Sequence, residues 1–195
     1  MLSEKREKFK KLSENIGAVC AKLSLTPNQY TLLSLFFAIL AFWFLIKANL
    51  IWALSFFLVA AFLDFIDGAV AKYARKETKE GAYLDTICDR YVEGIILLGF
   101  LFLPLLPFLL SAKVWIFLAL FGGLLTTYAK AAAKEKGLVT AELKKGLIGR
   151  GERVILISLS LILGVFNLSW VIYPIIILAI FSNITAFQRI FLAFK

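Results

Sequence analysis

Between Lys22 and Asp64 the chain carries a single charged residue, Lys47. No soluble fold hides apolar runs of that length. The 24 residues before Lys47 are long enough to cross a bilayer, since about 20 residues at about 1.5 Å per residue span a hydrocarbon core of about 30 Å. The 16 after it begin a second span that runs on past Asp64. Similar runs recur to the C-terminus. Hydrophobic residues make up 61% of the 195, with 19 Phe, against about 45–50% in soluble domains. Mean hydropathy is +0.87. Backbone polar groups in lipid must be satisfied internally, so the class is an all-α, polytopic membrane protein.

Six transmembrane helices are expected. Thr26 as N-cap and Pro27 at the first helical position start the first, which runs to about Lys47. The others cover about 50–75, 81–105, 112–135, 152–166 and 169–191. Pro104 and Pro107 mark the end of the third. A charged loop over 134–153 holds Gly137, Gly146, Gly149 and Gly151. Residues 25–195 then form one transmembrane domain. Ahead of it, Phe9, Leu12, Ile16, Val19 or Cys20, and Leu23 recur every three or four residues over 1–24. That stripe predicts an interfacial amphipathic helix with a basic opposite face. No removable signal peptide is evident.

Six spans put both termini on one side. Of the 22 Lys and Arg, only Lys47 and Lys113 fall in turns of the opposite side, so the termini are expected to be cytoplasmic. The net charge of +9 then reads as positive-inside bias, anionic headgroups and an anionic substrate rather than nucleic acid. The chain has no His, which excludes His-ligated zinc and Ser-His-Asp triads. Cys20 and Cys88 lack metal-like spacing and read as free thiols.

All four aspartates of the chain, Asp64, Asp67, Asp85 and Asp89, lie in one short stretch. On a helix, Asp64, Asp67, Gly68 and Ala71 share a face, and Gly81, Asp85 and Asp89 follow at i, i+4 and i+8. A short polar turn, Lys76 to Glu80, folds the two helices antiparallel, so the carboxylate pairs meet. Four carboxylates in one place do not all stay ionised without cations. Oxygen ligands suit Mg²⁺ or Mn²⁺, in a one- or two-metal site. Small residues on the same face leave room for a bulky group, which fits phosphoryl or phosphodiester chemistry. One carboxylate would take the proton of an attacking hydroxyl. Simple pairing with Lys72, Arg75, Lys79 or Arg90 would not need this register.

At these residues the sequence resembles the CDP-alcohol phosphotransferase family, whose signature is D-x2-D-G-x2-A-R-x8-G-x3-D-x3-D. Here it reads Asp64, Asp67, Gly68, Ala71, Lys72, Gly81, Asp85 and Asp89, with Lys72 replacing Arg. Lys keeps the charge but loses the planar fork that holds phosphate bidentately. The resemblance implies that Asp64, Asp67 and Asp85 bind metal. Asp89 would share a metal or act as base. Asp64, Gly68, Ala71, Lys72, Gly81 and Asp85 would meet the cytidine nucleotide, with Asn28 and Thr31 as weaker contacts, and CMP would leave. Six transmembrane helices, a juxtamembrane helix and a homodimer are also implied.

Three later pieces, around Lys130, Arg150 with Arg153, and Arg189, resemble the phosphatidylinositol-phosphate synthase branch. That branch uses inositol 1-phosphate, and these four cations would bind the acceptor phosphate. Ala132 stands where the branch has Arg. Each cation taken singly would also fit snorkelling or topology. The donor implied is a CDP-activated lipid, CDP-archaeol or CDP-diacylglycerol. Related readings are a di-inositol phosphate synthase using CDP-inositol, and glycerol-phosphate transfer. From another class, a divalent-cation transporter would place acidic residues at the midplane. Here they gather at one side, Glu93 being the deepest.

Overall fold

The computed structural model describes residues 14–23, 25–140 and 146–194. Phe9 and Leu12 of the expected amphipathic stripe lie outside the described residues. No β-strand occurs among those described. The helices are α1 (including residues 14–20), α2 (Pro27–Ile46), α3 (Leu50–Tyr73), α4 (Lys79–Phe100), α5 (Ala112–Glu135), α6 (Arg150–Phe166) and α7 (Ile172–Ala193). Short 3₁₀ turns cover Ala21–Leu23 and Leu168–Val171.

Local chemistry explains the boundaries. α2 starts with a reciprocal cap: Thr26 N–H donates to Gln29 Oε1 at 2.7 Å, and Gln29 N–H to Thr26 Oγ1 at 3.4 Å. α4 stops at Phe100, short of the expected 105. Leu101, Phe102 and Leu103 donate their amides three residues back, to Leu98, Gly99 and Phe100. Pro104 disfavours the helical region for the residue before it, so the chain tightens before the proline is reached. The last span is also divided. Asn167 accepts from Ser169 N–H at 2.9 Å, and Pro174, which has no N–H, falls in the first turn of α7.

Among the described residues, four stretches are long and apolar enough to cross a membrane: Pro27–Ile46, Leu50–Tyr73, Ala112–Glu135 and Leu168–Ala193. Of the other two expected spans, α4 carries Glu80, Asp85, Asp89, Arg90 and Glu93, and α6 has 17 residues.

The chain divides into two compact units, residues 1–41 with 55–92, and residues 42–54 with 93–195. In the first, Tyr30, Ile66 and Val70 form a buried cluster covered by Ile16, Cys20, Ala21, Leu25 and Leu63. Tyr30 donates its hydroxyl to Cys20 O at 2.9 Å. Within the described part of the N-terminal stripe, Ile16 and Cys20 therefore pack inward, while Val19 and Leu23 are exposed.

In the second unit α5 packs on α7 through small residues. Ala119, Gly122 and Thr126 of α5 are buried, as are Ala179, Ser182 and Ala186 of α7. A Cβ on Gly122 would lie 2.6 Å from Asn183 Nδ2, a group that also donates to Leu118 O at 2.9 Å and Ala179 O at 2.8 Å.

Candidate active site

Asp64 and Asp67 stand near the end of α3, on the face that carries Gly68 and Ala71. The helix then stops sharply. Arg75 adopts the left-handed conformation, φ 51°, and Lys76 N–H reaches back to Ala71 O at 2.9 Å. Arg75 thus belongs to the turn, two residues beyond the helix. Thr78 starts α4 by accepting from Gly81 N–H at 3.0 Å. The chain so reversed brings Asp85 to the α3 pair: one carboxylate oxygen each of Asp64, Asp67 and Asp85 lies within 4.8 Å of the others.

Asp67 is buried, and Asp64 and Asp85 are half-buried. Like charges at such distances repel by about 1–4 kcal/mol per pair across the range from water to a protein surface. A cation among them reverses the sign. Hard oxygen donors in this number fit a divalent ion of the Mg²⁺ or Mn²⁺ type. Behind the set stands Thr31, 2% exposed, whose hydroxyl donates to Asp67 Oδ2 at 2.6 Å.

Beside the carboxylates opens a cavity of about 190 Å³, lined among others by Asn28, Asp67, Gly68, Ala71, Gly81 and Asp85. Its floor depends on missing side chains. A Cβ on Gly68 would meet nothing within 4 Å, so it would project into open space. A Cβ on Gly81 would lie 3.0 Å from Thr78 Oγ1 and 3.1 Å from Asn28 Oδ1. Lys72 is exposed on α3. Asp89 is 8% exposed. Arg90 Nη2 lies 4.0 Å from its Oδ2, at the outer limit of an ion pair.

Of the expected acceptor cations, Arg153 and Arg189 come together within the second unit. Arg153 is 4% exposed. Its Nε lies 3.2 Å from Glu93 Oε1, and its Nη1 donates to Thr126 Oγ1 at 2.8 Å and Gly123 O at 3.4 Å. Arg189 Nη1 donates to Thr126 O at 2.8 Å. Thr126 therefore joins the two arginines. Lys130 lies one turn later on α5, and Arg150 opens α6. The segment before Arg150 is fastened to α7, with Leu147 N–H donating to Gln188 Oε1 and Ile148 N–H to Thr185 Oγ1, both at 3.1 Å.

Residues 24–187 match the CDP-alcohol phosphatidyltransferase family. The chain belongs to that family. It is 33% identical over 195 residues to the archaetidylinositol phosphate synthase of Pyrococcus horikoshii, covering 100% of this chain and 97% of that one. To a bifunctional IPC transferase and DIPP synthase of Aquifex aeolicus it is 32% identical over 183 residues, 87% of this chain but 39% of the relative. The fold matches the phosphatidylinositol phosphate synthase of Mycobacterium tuberculosis, crystallised with manganese and citrate, with a TM-score of 0.79 at 24% identity, over 94% of this chain and 89% of that one.

As a CDP-alcohol phosphatidyltransferase the chain is an enzyme, which disposes of the transporter reading. With four membrane-length apolar helices it is an integral membrane protein. Some site residues of this family member carry no sequence signal. Lys76 and Thr78 line the cavity, yet as sequence they belong to an ordinary polar turn. Thr126 resembles any helix-interior Thr. Thr31, expected on the nucleotide, does not line the cavity and stands behind Asp67.

Proposed function

We propose that this protein transfers a phosphatidyl-type group from a CDP-activated lipid to inositol 1-phosphate, releasing CMP. The observation that carries this reading is the convergence of Asp64, Asp67 and Asp85 beside a small-residue cavity, in a chain matched end to end by an archaetidylinositol phosphate synthase. The acceptor hydroxyl forms a bond to the lipid-bearing phosphorus, and the bond from that phosphorus to the CMP oxygen breaks. Asp89 takes the hydroxyl proton. Gly68, Ala71 and Gly81 leave room for the nucleotide, and Asp64, Asp67 and Asp85 would hold one or two Mg²⁺ or Mn²⁺. A bound divalent ion neutralises the pyrophosphate and stabilises the leaving CMP. Lys130, Arg150, Arg153 and Arg189 are assigned to the acceptor phosphate. α4 and α6 complete six spans behind a juxtamembrane amphipathic helix. Both termini and the site face the cytoplasm, and the enzyme works as a homodimer.

The test is CMP release by purified protein with Mg²⁺ or Mn²⁺. CDP-lipid with inositol 1-phosphate is expected to react, and glycerol phosphate or serine to react poorly. No CMP release with any pair would overturn the reading. The Aquifex aeolicus relative gives one reason to include CDP-inositol as donor, since its name describes a DIPP synthase. Turnover of CDP-inositol with CDP-lipid inert would favour that activity.

Gly68 offers a sharper check. Gly68→Ala fills space that nothing else occupies, and Ala in a helix is better than Gly by about 0.5–1 kcal/mol. The variant should unfold at an equal or higher temperature while its KM for the CDP donor rises about tenfold, as expected for a loss of roughly 1.4 kcal/mol of binding. An unchanged donor KM would remove Gly68 from the donor pocket.

A further inference from the structure

We propose that Thr31 is a positioning residue: its buried hydroxyl aims the Asp67 carboxylate into the three-carboxylate set and so sets its affinity for a divalent cation. The inference rests on the reading of that set as a cation site. Asp67 is 5% exposed and Thr31 2%, so water does not compete freely for the bond between them. At 2.6 Å from Thr31 Oγ1 to Asp67 Oδ2, it has the length of a hydroxyl-to-carboxylate bond strengthened by charge. A hydroxyl has one proton to give. The local alternative acceptor, Pro27 O, lies farther off at 3.2 Å.

Thr31 is itself held in place. It stands within the first turns of α2, where the Thr26–Gln29 cap fixes the helix start. Its carbonyl accepts from Ser34 Oγ at 2.7 Å. Next to it, Tyr30 is anchored by Cys20 O. A donor on so rigid a turn fixes the plane and rotamer of the carboxylate that it holds. Without it, repulsion from Asp64 and Asp85 would turn Asp67 away from the set. The cation would then have to bring Asp67 back as it bound. Groups of this kind, one step behind the ligands, are worth about 10–100-fold in metal affinity.

The test uses Mn²⁺ alone, titrated into the purified full chain and followed by the electron paramagnetic resonance of free Mn²⁺. Thr31→Val keeps the shape and β-branching and removes the donor. Its apparent Kd for Mn²⁺ should rise about tenfold or more, while Thr31→Ser, which restores a hydroxyl, should stay near wild type. Thr31→Ala, smaller than either, should match Val. Equal Kd values for wild type and Thr31→Val would overturn the proposal. So would Val and Ser variants weakened alike, since packing alone would then account for the loss. A wild-type chain that binds no Mn²⁺ would overturn the cation reading itself, a different failure from either of these.

Discussion

Asp67→Asn is expected to reduce CMP release by about 10³-fold or more while leaving the chain folded. Asn has nearly the same shape as Asp, so the buried site does not collapse. What disappears is one of three negative charges held within 4.8 Å. Electrostatic groups placed at a reacting centre are each worth about 10²–10³ in rate, and loss of a metal ligand adds loss of the ion itself. Stability should move the other way. In EDTA the wild-type carboxylates repel one another, so the variant should melt no lower than wild type. Added Mn²⁺ should raise the wild-type melting temperature by mass action and leave the variant nearly unmoved. Retention of a tenth of wild-type turnover would remove Asp67 from the metal set. An Mn²⁺-dependent rise in the variant equal to that of wild type would do so by an independent route.

The aspartate register was legible because helix period and fixed spacing are sequence properties. Asp64, Asp67 and Gly68 share a face of any helix, and a five-residue polar turn leaves two apolar helices little choice but to pair antiparallel. The cap at Thr26 and Pro27 was legible for the same reason: its chemistry is local. Where helices end was less so. The pattern over 81–105 is apolar to its last residue, and only the tightening of 101–103 ahead of Pro104 shows that the helix has stopped at Phe100. Thr31 was legible as a site residue but its bond to Asp67 was not, because sequence does not say which residue of a neighbouring helix a side chain faces. The partner of Arg153 was hidden more deeply. Glu93 and Arg153 are 60 positions apart, and Glu93 read simply as the deepest acid of its helix.

That pair supports the largest expected change in stability. Arg153→Met should destabilise the chain by about 3–5 kcal/mol, because it leaves the Glu93 carboxylate, 8% exposed, without the guanidinium 3.2 Å away. Glu93 has little room to escape. A Cβ on Gly123 would lie 2.7 Å from Glu93 Oε1, so the glycine is what admits the carboxylate at all. Replacing both partners, Glu93→Leu with Arg153→Met, removes the buried charge and should restore most of the lost stability, since apolar pairs of similar volume often match a buried ion pair. Denaturation midpoints in detergent measure both changes. The double variant also separates packing from chemistry. With Arg153 at the acceptor phosphate, restored stability should come without restored acceptor binding: KM for inositol 1-phosphate stays raised about tenfold or more while the KM for the CDP donor stays near wild type. Recovery of both stability and acceptor KM would make Arg153 a strut for Thr126 and leave the acceptor phosphate to Lys130, Arg150 and Arg189.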